Sequence, residues 1–143
     1  MGSELGAELD AAVRALAMGS RVLERSLEDM TLPQFRVLSL IASSPERASR
    51  VAERAAVSRP SLTGILDGLE ARGWVQRVTV EGDRRGVSLE VTAAGGAALA
   101  RAQRLMAAAL DEVLSDAGRD RAAVVRGLDA LGRAMKERHR ARR

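Results

Sequence analysis

Apolar residues recur at spacings of three and four from the start of the chain: Leu5, Leu9, Val13, Leu16, Leu23 and Leu27, with Ser20 in the same register. That period predicts one long amphipathic helix over about residues 4–28. Thr31 with Gln34 three residues on forms a capping box, and Pro33 suits a first turn, where its missing N–H is no loss. The helix opened there turns Phe35, Leu38 and Ile41 inward and ends at Ser43, Ser44 and Pro45. Ser49 is the candidate N-cap of a short helix with Val51, Ala52 and Ala55 inward, the two alanines small enough for a neighbouring helix to cross closely. Val57 plugs the turn. Ser58 caps the next helix, with Arg59 and Pro60 in its first turn and Leu62, Ile65, Leu66 and Leu69 as its buried stripe. Arg72 and Gly73 make a basic last turn with a glycine stop.

The period then drops to two. Trp74 to Val80 reads as a strand, Glu81-Gly82-Asp83 as a turn, and Val87, Leu89 and Val91 alternate with Ser88 and Glu90 on a return strand that buries one face. Thr92 caps a long helix to about Ser115, Asp116-Ala117-Gly118 breaks it, and a last helix over about 119–139 carries Val124, Leu128, Leu131 and Met135 on one side. There is no internal repeat and no low-complexity linker. The fold class expected is mainly α with a small β-hairpin wing: a winged helix-turn-helix at about 31–92, flanked by long dimerisation helices at 1–30 and 93–143, in one compact domain. The central part can close its own small core. The apolar stripes of the terminal helices exceed what that core can cover. A second copy of the chain in a two-fold dimer would cover them, the alternative being that they cover each other within a monomer.

Composition narrows the function classes. The chain has 143 residues, 46% of them hydrophobic, which is enough for a real core. No run of 18 apolar residues occurs, and the opening MGSELGAELD lacks a basic and then apolar leader, so a cytoplasmic protein with no membrane span is expected. With no cysteine there is no disulfide framework or thiol switch, and one histidine leaves little for a transition metal. No Ser-His-Asp set, phosphate loop or metal cluster is visible, and Gly95-Gly96 is too short for a nucleotide loop, so neither enzyme nor cofactor is expected. The net charge is +4, distributed unevenly: residues 119–143 hold nine basic and three acidic side chains, residues 1–30 three basic and six acidic. A basic C-terminal end suits nucleic acid and equally a solvated helix face.

A winged helix-turn-helix sets one helix in the major groove of DNA and one loop beside the backbone or in the minor groove. Facing away from the Leu62/Ile65/Leu66/Leu69 stripe are Arg59, Pro60, Ser61, Thr63, Gly64 and Asp67. Arg59 can grip guanine or phosphate, and Ser58, Ser61 and Thr63 are short donors for phosphate or base edges. The blander reading is an ordinary solvated face, as a soluble hairpin tip is for the basic pair Arg84 and Arg85 beside Asp83.

The segments SRVAERAAVSRPSLTGILDGLEARG and GDRRGVSLEVT, with the AAG that follows the second, resemble the MarR family of bacterial transcriptional regulators over about residues 31–96. The wing is the sharpest element: an Asp, one basic residue, then Arg, leading into an alternating strand that ends in Thr. The resemblance implies an α-helical homodimer on a pseudo-palindromic operator of double-stranded DNA, usually a repressor released by a small ligand. It implies minor-groove insertion for Arg85, phosphate contact for Arg84, and an orienting role for Asp83. It also implies an effector pocket between the dimerisation helices and the winged unit, with Met18, Arg21, Phe35, Leu38 and Met106 as candidates. Their place on an apolar stripe suits plain core as well, and two aromatic residues in the chain give little stacking surface. Gly64 departs from the family pattern, which commonly has a large polar or basic residue there. Either the helix backbone sits deeper in the groove, or base readout is weak and affinity comes from phosphates and DNA shape. Thiol-type peroxide sensing needs cysteine and is set aside, as is zinc sensing, since His139 lies alone in a basic tail. Two rival readings remain: a winged-helix protein-interaction module and a nonspecific nucleoid-type DNA binder.

Overall fold

The computed structural model describes residues 2–43, 48–55, 57–79 and 87–141. Their order is α1 (Gly2–Ser26), α2 (Leu32–Ser43), α3 (Ala48–Ala55), α4 (Arg59–Ala71), β1 (Val75–Thr79), β2 (Val87–Val91), α5 (Ala93–Ser115), a 3-10 turn (Gly118–Asp120) and α6 (Arg121–Ala141). The mainly helical architecture with one antiparallel hairpin agrees with the expectation from patterning.

Local chemistry explains most boundaries. The Thr31–Gln34 box closes reciprocally: Thr31 N–H donates to Gln34 Oε1 at 3.0 Å and Gln34 N–H to Thr31 Oγ1 at 3.3 Å. Thr92 caps α5, its Oγ1 accepting from Gly95 N–H at 3.0 Å. Gly118 leaves α5 at φ 54°, and the 3-10 turn it starts delays the last helix to Arg121, later than the periodicity suggests. α1 ends at Ser26, two residues short of the expected stop. α3 opens at Ala48, so Ser49 stands inside its first turn rather than before it, a correction to the expected cap.

The core draws at least one large apolar side chain from each of six elements, among them Leu38, Val51, Leu69, Val75, Leu89 and Leu99. α2 lies at its centre, against α3, α4, α5 and β2. That central position buries Val37 (1% exposed) as well as Leu38 and Ile41, a second buried edge that a single-face pattern does not reveal. The strands pair from Val75 with Val91 to Thr79 with Val87. Val87 was expected on the buried face; it is 46% exposed, because the outer end of the hairpin runs past the core.

α1 packs along α5, yet most of its stripe stays open, with Leu16 49% and Val13 65% exposed. On α6, Leu128 and Leu131 are more than a third exposed and Met135 more than half. No helix among the described residues is long and apolar enough to cross a membrane.

Candidate nucleic-acid interface

α4 buries Leu62, Leu66 and Leu69 and exposes Arg59, Pro60, Ser61, Thr63, Gly64 and Asp67. Its start follows from Ser58, which is extended (φ −66°, ψ 155°) and accepts from Ser61 N–H at 3.2 Å. Pro60 occupies the first turn, where its lack of an N–H leaves no bond unmade.

The hydroxyls on this face are largely used within the helix. Ser58 Oγ and Ser61 Oγ are 2.8 Å apart and share one hydrogen bond, which leaves one proton of the pair to point outward. Thr63 Oγ1 donates back to the Arg59 carbonyl at 3.0 Å, so Thr63 offers a methyl group and an acceptor but no donor. The expectation of three short donors therefore reduces to one. The two glycines of α4 also differ. A Cβ at Gly68 would lie 3.1 Å from Gln34 Nε2, whose amide is held in the α2 capping box. A Cβ at Gly64 would meet nothing within 4 Å. Gly68 thus allows α2 and α4 to approach closely, whereas Gly64 costs α4 about 1 kcal/mol relative to alanine with no packing return among the described residues.

The far end of α4 is fastened on three sides. Gly73 turns at φ 69°, with Gly73 N–H bonded to the Glu70 carbonyl and Trp74 N–H to the Leu69 carbonyl, each at 2.9 Å, so the last carbonyls are satisfied by a Schellman turn. Thr92 then joins this exit to α5: its Oγ1 donates to the Gly73 carbonyl at 2.5 Å and its N–H to the Trp74 carbonyl at 3.0 Å. Gly95 is needed here, since a Cβ would stand 2.1 Å from the Trp74 carbonyl oxygen. Arg72 lies over the Trp74 ring at 4.7 Å and donates to the Asp29 carbonyl, and Arg101 of α5 pairs with Glu28 and Asp29. Hydrogen bonding and attraction from Glu28, with further attraction from Asp29, raise the Arg101 pKa above its ordinary value.

The hairpin stem is tied to α4 as well. Arg77 on β1 grips Glu70 with two hydrogen bonds, Nε to Oε1 at 2.7 Å and a terminal nitrogen to Oε2 at 3.3 Å. This pairing raises the arginine's pKa above its ordinary value, the Glu70 hydrogen bond contributing most and its charge next. Sequence reading missed Glu70, Arg77, Gly95 and Arg101. The opposite charges of Glu70 and Arg77 were visible, but the turn that faces them was not. Asp83, Arg84 and Arg85, the expected wing contacts, lie outside the described residues.

The five effector candidates differ widely in burial. Leu38 is fully buried in the core, Met106 is buried, Phe35 is half-buried, and Met18 and Arg21 are exposed. None of them lines the small cleft between the connection that follows α1 and the face of α5, which is bounded by Leu27, Glu28, Met30, Ala98, Arg101 and Leu105 among others and encloses about 10 Å³, a single water's worth.

Residues 28–86 match the family model described as MarR family. The homoprotocatechuate degradative operon repressor of Escherichia coli is 38% identical over 76 residues, 52% of this chain and 51% of the repressor. The chain spans about half the length of the first such relatives it matches, 41% of one and 51% of another. Likeness to solved structures extends further. The transcriptional repressor CouR, bound to a 23-mer DNA duplex, is 32% identical with a TM-score of 0.69, over 85% of this chain and 89% of that one. A MarR family protein of Mycobacterium tuberculosis in complex with salicylic acid is 26% identical with a TM-score of 0.70, over 85% of this chain and 93% of that one. With the capped α4, its exposed polar face and the hairpin stem beside it all within the matched region or next to it, the chain belongs to the MarR family.

Proposed function

We propose that this chain is a sequence-specific DNA-binding transcriptional regulator, acting in the cytoplasm as a homodimeric repressor on a pseudo-palindromic operator. The observation that carries the reading is the uncovered polar face of α4 beside a hairpin stem, in a chain that is 32% identical to a repressor bound to DNA. In this reading Ser58, Arg59, Pro60, Ser61, Thr63 and Gly64 meet the major groove. Arg84 and Arg85, with Asp83 orienting them, take the backbone and the minor groove. Residues 31–92 form the DNA-binding region, and 1–30 and 93–143 form the dimerisation helices. The open stripes of α1 and α6 support a second copy, which would set two recognition helices about 34–36 Å apart, one turn of DNA. The neighbour bound to salicylic acid supports a small anionic effector, for which Met18, Arg21, Phe35, Leu38 and Met106 remain the proposed contacts after some opening of α1 against α5.

A gel-shift titration with the DNA flanking this protein's own gene, run against scrambled competitor at two salt concentrations, tests the reading. A discrete complex that resists scrambled DNA and weakens with salt is expected. Smearing removed by scrambled DNA would favour a nonspecific binder. No complex at low salt, with and without salicylate, would favour a protein-interaction module.

A further inference from the structure

The outward face of α4 offers few of the groups that read guanine. Pro60, Thr63, Gly64 and Asp67 fall at helical spacing on one side of α4, and all four are exposed. Pro60 presents a ring. Thr63 has its hydroxyl proton committed to the Arg59 carbonyl and keeps a methyl group. Gly64 presents bare backbone, with no neighbour among the described residues that a Cβ would touch. Asp67 is acceptor-only, so it opposes the N7 and O6 acceptors of guanine. Arg59 is the one cationic side chain between residues 59 and 71, and it stands at the helix start, within reach of phosphate. Apart from the one outward proton of the Ser58–Ser61 pair, what Pro60, Thr63 and Gly64 present is an apolar, low-relief surface.

We infer that α4 reads its operator through thymine methyl groups, with the bare backbone at Gly64 set against one of them and the Pro60 ring and Thr63 methyl beside it. The inference rests on the regulator reading above and gives it a base class. Among base edges in the major groove, only thymine carries a methyl, and apolar contact is how proteins recognise it. An open glycine does not by itself mark a contact, since Gly6, Gly19, Gly96, Gly127 and Gly132 are open too. Gly64 differs in standing in the exposed stripe of the helix that faces DNA, between the tethered Thr63 and Asp67. A side chain there would hold the helix away from the base edges.

The test uses full-length protein and an operator enriched from random-sequence duplexes by the wild type. Each thymine of that operator is replaced in turn with deoxyuridine, which removes only the methyl. At least one position per half-site is expected to lose about fivefold or more in affinity. Gly64→Ala is expected to raise Tm by a few degrees, because the site is open and alanine favours helix, while binding the thymine operator about tenfold more weakly. The deoxyuridine penalty should shrink in that variant, the contact being already lost. Deoxyuridine duplexes that all bind like their parent, or Gly64→Ala binding as tightly as wild type, would overturn the inference and leave the regulator reading standing. A selection that enriches no sequence would overturn both.

Discussion

The central unit and the terminal helices are built from the same material and treat it oppositely. Leucines at helical spacing on α4 are buried, with Leu69 at 0% exposure, while those on α1 and α6 stay open, Leu5 at 60% and Leu131 at 39%. Amphipathic period alone therefore says that a helix has an apolar face, not where that face goes. The difference arises from what crosses each helix. α4 meets α2, α3 and β1, so its stripe is enclosed by one chain. α1 has α5 along one side, and the rest of its apolar face is left open by the described residues.

Charging the open face should break this comparison most severely. Leu128→Glu with Leu131→Glu is expected to give a monomer by sedimentation and to weaken operator binding by roughly 10²–10⁴, the loss that follows when two linked sites become one. The fluorescence of Trp74, which sits at the central unit, should be retained. Unchanged mass and affinity would mean that the terminal helices cover each other within one chain. The complementary cut is Leu69→Ala, which opens a cavity in the closed core and should cost about 3 kcal/mol by urea unfolding. Val13→Ala on the open face should cost far less in the same measurement wherever Val13 lies outside the dimer contact.

The contrast also accounts for what could be read in advance. The Thr31–Gln34 box, the Ser58 and Thr92 caps and the Gly73 stop are settled within three or four residues, and the pattern contains all of them. The ties around the exit of α4 join residues far apart in the chain: Arg72, just past α4, to Asp29 across 43 residues, and Arg101 of α5 to the neighbouring Glu28 across 73. No local period encodes such pairs. Gly95 shows the same limit. Beside Gly96 it looks like loose composition, and its reason, the Trp74 carbonyl, emerges only when the start of α5 is laid against β2 and the turn at Trp74. Side-chain protons were equally hidden: Ser61 and Thr63 read as free donors until their partners within α4 were known.

The wing sharpens the comparison at its polar end. Arg85→Ala, at the tip expected to enter the minor groove, should weaken operator binding about tenfold or more at moderate salt, as the loss of one well-placed arginine contact does. Tm should stay close to that of wild type. Equal affinity in the titration would remove Arg85 from the interface and leave the wing's contribution to Arg84.

The smallest effect expected is at the stem. Glu70→Gln cuts the ion pair that ties Arg77 to α4, and because Arg77 is about half exposed the stability cost should be only about 0.5 kcal/mol. The sign of its pH dependence follows from the arginine. A pKa raised in the folded state adds stability that is full below the unfolded value and disappears only as pH climbs through the folded one. For a guanidinium that window lies above any working pH, so alkali is a poor lever on this tether and salt a better one. The variant should therefore match wild type in stability at high salt and fall behind it at low salt. If the tether also aims the wing, operator affinity at low salt should drop by more than the small loss of stability can explain, since a wing free to swing must be ordered on each binding event. Equal affinities at low salt would make Glu70 and Arg77 a stabilising pair and nothing more, with the hairpin aimed by β1–β2 pairing and by the Thr92 bonds at its base.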